Sequence, residues 1–127
     1  MKNKDCIFIG GKQIGVNCLR QLLKRKIEPK IVIGNMDDNG IDKSWHESLI
    51  KVASKHGLTT IKQRKVADQA TIKKIKATKP EIIFCIGGTQ IIPKEVESIP
   101  TLGCLNIHPA LLPKYRGRYS TAHAIFN

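Results

Sequence analysis

Short apolar runs alternate with amphipathic stretches along most of this chain, and the alternation predicts strands and helices in turn. Cys6 to Ile9 reads as a buried strand, Gly10-Gly11-Lys12-Gln13-Ile14-Gly15 as a glycine turn, and Val16, Leu19, Leu22 and Leu23 as one face of a helix. Ile31-Val32-Ile33 is the second strand, followed by a loop of turn formers from Gly34 to Gly40. Ser44-Trp45-His46-Glu47 has the spacing of a capping box that would open a helix through Leu49, Ile50, Val52 and Ala53, with Gly57 as its stop. Thr59 to Ile61 makes a short third strand. A helix from about Asp68 to Ala77, with Ile72 and Ile75 facing inward, leads to a strand from Ile82 to Ile86. Gly87-Gly88-Thr89-Gln90, a short helical turn around Pro93 to Val96 and a last strand from Cys104 to Ile107 follow.

Such alternation implies an α/β fold with a doubly wound, mainly parallel sheet. In sheets of this kind ligands sit beyond the carboxyl ends of the strands. Gly10-Gly11, Gly34 to Asp38, Gly87 to Gln90 and Asn106 to His108 all fall at that edge. The first turn matches neither the dinucleotide fingerprint nor the phosphate loop, which argues against a dinucleotide-dependent oxidoreductase. A plain tight turn and a turn that offers backbone amides to a ligand remain equal readings.

Length and composition narrow the picture. At 127 residues the chain fits one domain with a core of its own. No apolar run approaches the roughly 20 residues of a membrane span, and Met1-Lys2-Asn3-Lys4-Asp5 leads straight into a strand, so no membrane partner and a cytoplasmic location are expected. Cys6, Cys18, Cys85 and Cys104 are scattered without a Cys-x-x-Cys pair and read as buried thiols of a reducing compartment, with no metal site. The net charge of +12 raises the question of a polyanionic partner. Its lysines are spread over Lys24-Arg25-Lys26, Lys62-Gln63-Arg64-Lys65 and Lys73-Lys74-Ile75-Lys76 with few aromatic neighbours, so a solvated surface is favoured and nucleic acid is not the expected partner. A positive field that gathers a small anionic ligand is the second reading.

The chemistry concentrates after Gly103. Alternate residues of a strand share a face, so Asn106 and His108 project together, and Pro109 holds His108 extended. An amide beside an imidazole can donate to a developing oxyanion and handle a proton, which is acyl-transfer chemistry. A strand-end cap and a turn histidine are the plainer alternatives.

Gly103-Cys104-Leu105-Asn106-Ile107-His108-Pro109, Leu111-Leu112-Pro113 and Tyr115-Arg116-Gly117-Arg118 together resemble the signature of the folate-dependent formyltransferases. Lys79-Pro80-Glu81-Ile82-Ile83-Phe84 and Gln90-Ile91-Ile92-Pro93-Lys94-Glu95-Val96 are similar to the same family in the same order. The resemblance implies a Rossmann-like formyltransferase fold and transfer of a formyl group from 10-formyltetrahydrofolate, a cosubstrate, to an amine through a tetrahedral intermediate. It gives Asn106 the oxyanion-stabilising role and His108 the proton-handling role, and it places the folate pterin against Phe84, Ile86, Gln90, Ile91 and Ile92. For the three isoleucines ordinary core is an equal reading.

The loop Asn35-Met36-Asp37-Asp38, Asp42, Trp45-His46-Glu47-Ser48-Leu49 and the Tyr115 to Arg118 run look most like the enzymes that formylate nucleotide-linked amino sugars. Gly11, Lys12, Asn35 and Asp37 would then lie near the nucleotide sugar, and Arg116 and Arg118 would meet its anionic groups or, alternatively, solvent or an internal carboxylate. A methionyl-tRNA formyltransferase and a non-catalytic folate- or nucleotide-binding remnant are the alternatives. The family's catalytic Asp, expected some tens of residues beyond the histidine, has no counterpart here. Residues 1–127 are therefore expected to be the N-terminal part of a catalytic domain, truncated at its C-terminal end, inactive alone and prone to self-association through uncovered sheet edge.

Overall fold

A computed structural model of the chain describes residues 5–107. In chain order its elements are β1 (Cys6–Gly10), α1 (Lys12–Lys24), β2 (Ile31–Gly34), α2 (Leu49–Lys55), β3 (Thr60–Ile61), α3 (Gln69–Thr78), β4 (Ile82–Ile86), α4 (Lys94–Glu97) and β5 (Gly103–Ile107). The five strands form one sheet in the order β3-β2-β1-β4-β5, every pair parallel. The fold is α/β and Rossmann-like. After β3 the chain crosses to the far side of β1, so the strand order reverses between β1 and β4, the switch point at whose carboxyl edge sheets of this kind bind ligands.

Parallel strands covered on both faces need apolar side chains in both directions, and β1 and β2 are buried throughout. One core lies on the α3 side, with Ile7, Ile9, Ile33, Ile72, Ile75 and Ile83 at its centre. The other lies under α1 and α2, where Phe8, Val16, Leu19, Val32, Leu49 and Ile86 pack together. Phe8 and Phe84 bridge neighbouring strands there, with ring centroids 6.3 Å apart.

Helix starts follow the sequence with two corrections, the first being that α1 begins at Lys12, inside the stretch from Gly10 to Gly15 expected as a turn. Asp68 caps α3 by accepting from the Ala70 amide, and Gly57 follows the end of α2 with a left-handed φ of +75°. The expected capping box at Ser44 and Glu47 does not form: α2 begins at Leu49, and Ser48 is its cap, accepting from Lys51 N. Glu47 is drawn away by Arg20 and Gln13 of α1, a tertiary attraction that outcompetes the local motif.

Candidate functional site at the carboxyl edge of the sheet

The ends of β1, β4 and β5 are stitched together by backbone bonds. Gly11 N donates to Ile86 O at 3.1 Å, and Gly87 N donates to Ile107 O at 3.1 Å. Gly87 is left-handed, with φ +71°, and a Cβ there would lie 2.1 Å from Gly11 O. Only glycine meets both conditions. Asn106 pairs with Cys85 across β4 and β5, one position before this junction, and strand alternation sets it on the face of Cys85 and Cys104. His108, Arg116 and Arg118, with the expectation that His108 shares a face with Asn106, lie outside the described residues.

The segment that follows β4 is held by bonds to other parts of the chain. Asn35, only 4% exposed at the end of β2, donates its Nδ2 to Gly87 O at 3.1 Å and accepts from Thr89 N on Oδ1 at 3.0 Å. On the other flank, Gln90 accepts from Val66 N at 2.8 Å, so its side chain turns to the loop after β3. Ile91 is 92% exposed, Ile92 packs on the α3-side core, Ile86 is buried, and Phe84 is half-buried against the α1-side core. Of the five side chains expected to meet a pterin, Ile91 is thus the one left free on the surface. Phe84, Ile86 and Ile92 have core partners, and Gln90 has the β3–α3 loop.

Lys12, Asn35 and Asp37, three of the expected substrate contacts, come together with Gln13, Trp45, His46 and Thr89 around one pocket of about 190 Å³. Gly11 adjoins it, and its Cβ position would fall 2.7 Å from Asn35 Nδ2. Lys12 adopts a left-handed φ of +58°, an unfavourable backbone state for a lysine, and it does so at the pocket wall. Trp45, 72% exposed, offers a ring with Lys43 Nζ 5.8 Å from its centroid. Neither Trp45, His46 nor Thr89 was singled out as a site residue from the sequence. Trp45 and His46 approach Lys12 because the loop between β2 and α2 folds back over α1, and Thr89 is brought there by its bond to Asn35.

That loop carries its own scaffold of carboxylates. Buried Asp38 accepts from Gly40 N at 3.0 Å, from Ile50 N at 3.2 Å and from the Ser48 hydroxyl. Asp42 accepts from Ser48 N at 2.9 Å and pairs with Lys51 at 3.0 Å. Glu47 takes both Arg20 guanidinium nitrogens and Gln13 Nε2, while its own amide donates to Gln13 Oε1 at 3.1 Å. The Arg20 guanidinium, then Gln13, hold the Glu47 carboxyl below its usual range, and the Ser48 amide followed by Lys51 does the same for Asp42.

Two positions before Asn106, Cys104 lies diagonally across from Cys85 on the same face. Their mutual hydrogen bond raises the Cys85 thiol, which burial raises further, and lowers that of Cys104. Burial pushes the Cys6 thiol up to about 11. All four cysteines are free thiols, and no helix among the described residues is long and apolar enough to cross a membrane.

The sequence profile of the family described as formyl transferase matches residues 4–127. The methionyl-tRNA formyltransferase of Clostridioides difficile (strain 630) is 35% identical over 123 residues, which cover 95% of this chain and 40% of that protein. That of Thermodesulfovibrio yellowstonii is 36% identical over the same length, with the same coverage. That of Legionella pneumophila (strain Paris) is 31% identical over 129 residues, covering 100% of this chain and 41% of its own. The chain thus spans about 40% of the length of these curated relatives.

Proposed function

Since this chain belongs to the formyl transferase family, we propose that the protein carrying it transfers a formyl group from 10-formyltetrahydrofolate to an amine, and that the amine is that of methionyl-tRNA. The placement of Asn106 carries the chemical part of this reading: it sits at the carboxyl end of β5, at the edge where the Gly10-to-Lys12 turn and the segment after β4 also lie. In the reaction the attacking amine adds to the formyl carbon, the carbonyl oxygen takes up negative charge, and the tetrahedral intermediate collapses as the folate nitrogen leaves. The Asn106 carboxamide donates to that oxygen, and His108 accepts the proton that the amine gives up and delivers it to the departing folate nitrogen. The folate lies along residues 84–92, with Ile91 as an exposed apolar contact.

The relatives favour the tRNA acceptor over the nucleotide-linked amino sugar suggested by the β2–α2 loop. One observation supports the sugar as a second reading: the pocket of about 190 Å³ offers an aromatic wall, Trp45, together with Lys12 and Asp37, a setting suited to a small polar ring. The intact protein decides between them. Incubated with 10-formyltetrahydrofolate and either methionyl-tRNA or a nucleotide-linked amino sugar, it is expected to formylate the tRNA. Turnover with the sugar alone would reverse the assignment, and turnover with neither would remove it.

A further inference from the structure

We propose that Asn35 is a positioning residue that couples the acceptor-side pocket to the segment after β4, so that occupancy of one changes affinity at the other; the inference rests on the formyl-transfer reading. Asn35 is the point at which three chain segments meet. Its backbone N donates to Gly10 O at 3.1 Å and its backbone O accepts from Asp38 N at 3.0 Å, which fixes it between the end of β1 and its own loop. Its side chain then reaches residues 52 and 54 positions away and grips the peptide groups on either side of Gly88.

Few side chains meet both demands. Gly87 O needs a donor and Thr89 N needs an acceptor, and a carboxamide supplies one of each from a single planar group. Aspartate would keep the Thr89 bond but set an oxygen against Gly87 O. The turn before α1 is shaped around the same amide, because a side chain at Gly11 would collide with Asn35 Nδ2. Gly11 lies near φ 165°, an extended backbone that any residue adopts, so the close approach alone calls for glycine.

The coupling follows from what Asn35 touches. It lines the pocket beside Lys12, Asp37 and Thr89, and it holds the start of the segment that continues into Gln90, Ile91 and Ile92. A ligand that orders Asn35 and Thr89 from the pocket side also orders Gly87 to Thr89 on the folate side, and linkage makes the effect reciprocal.

The test uses the intact protein and three variants, Asn35→Ala, Asn35→Asp and Gly11→Ala. Binding of tetrahydrofolate, which has no formyl group to transfer, is titrated calorimetrically with and without methionyl-tRNA, beside thermal melts and steady-state kinetics with 10-formyltetrahydrofolate. Wild type is expected to bind the folate several-fold tighter with acceptor present. Asn35→Ala and Gly11→Ala should bind it about 10-fold more weakly, or ~1.4 kcal/mol, and lose the acceptor effect, with Asn35→Asp between. The KM for folate should rise while kcat at saturation stays within a few-fold. If Asn35→Ala does not fold, Gly11→Ala carries the test, since it displaces the amide without removing it. Lowered melting temperatures with folate affinity and acceptor effect intact would overturn the coupling and leave Asn35 a structural residue. A wild type that binds no reduced folate would overturn the functional reading itself, and the inference with it.

Discussion

The two loops that meet at the pocket are built in opposite ways. The β2–α2 loop stiffens itself: Asp38 and Asp42 bind amides, a hydroxyl and a lysine within the same stretch, and Glu47 bolts it to α1 through Arg20 and Gln13. The segment after β4 depends on bonds from outside, through Asn35 on one flank and the β3–α3 loop on the other. A self-bonded loop keeps its shape when a neighbour changes, whereas an externally held segment takes its shape from its neighbours. The β2–α2 loop is therefore shaped largely by its own residues and by α1, and the segment after β4 is set by contacts that a mutation elsewhere can alter.

The largest effect that bears on this contrast is expected at Gly87. Alanine there meets a left-handed φ and the Gly11 carbonyl together, so Gly87→Ala should cost roughly 2–4 kcal/mol, as strain plus overpacking. Chemical denaturation measures it, and a near-neutral result would mean that the segment re-forms freely around the substitution. Next comes Asp38→Ala, which leaves Ser48 Oγ and the amides of Gly40 and Ile50 without their acceptor. A loss of about 2–3 kcal/mol is expected, with protease sensitivity confined to residues 36–48. Protease cleavage that spreads to residues 87–92 would show that the segment after β4 depends on Asp38 as well as on Asn35.

The smallest effect concerns Glu47. Its carboxyl is depressed in the folded chain below an ordinary value of 4.5, so its contribution is fully present above that value and is lost as pH falls through the lower, folded one. Because the group is exposed, the slope should be slight and weaken in salt. Glu47→Gln should lose that slight contribution at pH 7, flatten the stability–pH curve below pH 4.5 and converge with wild type in acid. An equal slope in wild type and variant would assign the acid sensitivity elsewhere.

Most of the architecture is legible in the sequence because buried parallel strands demand unbroken apolar runs. Cys6 to Ile9, Ile31 to Ile33 and Ile82 to Ile86 could hardly be anything else. The capping box misleads because Ser44 and Glu47 have the right spacing, and nothing local reveals that Arg20, 27 residues earlier, holds a stronger claim on Glu47. The site is legible as a place more than as a set of contacts. Gly11, Lys12, Asn35 and Asp37 gather as the topology requires, but Asn35, expected to face a ligand, is spent largely on Gly87 and Thr89. Gln90 behaves alike, and Trp45 and His46 reach the pocket only through a loop fold set by Asp38, Asp42 and Glu47 together. Contacts of that kind depend on several tertiary bonds at once, and no spacing rule encodes them.

The most direct test is formyl transfer by the intact protein, wild type against Asn106→Ala, followed with 10-formyltetrahydrofolate and methionyl-tRNA while folate affinity is measured alongside. Wild type should turn over, and the variant should lose roughly 100-fold or more in kcat with folate affinity retained, as for loss of an oxyanion donor. Near-normal turnover by Asn106→Ala would contradict the account, because it would remove from the chemistry the residue on which the reading of this edge rests.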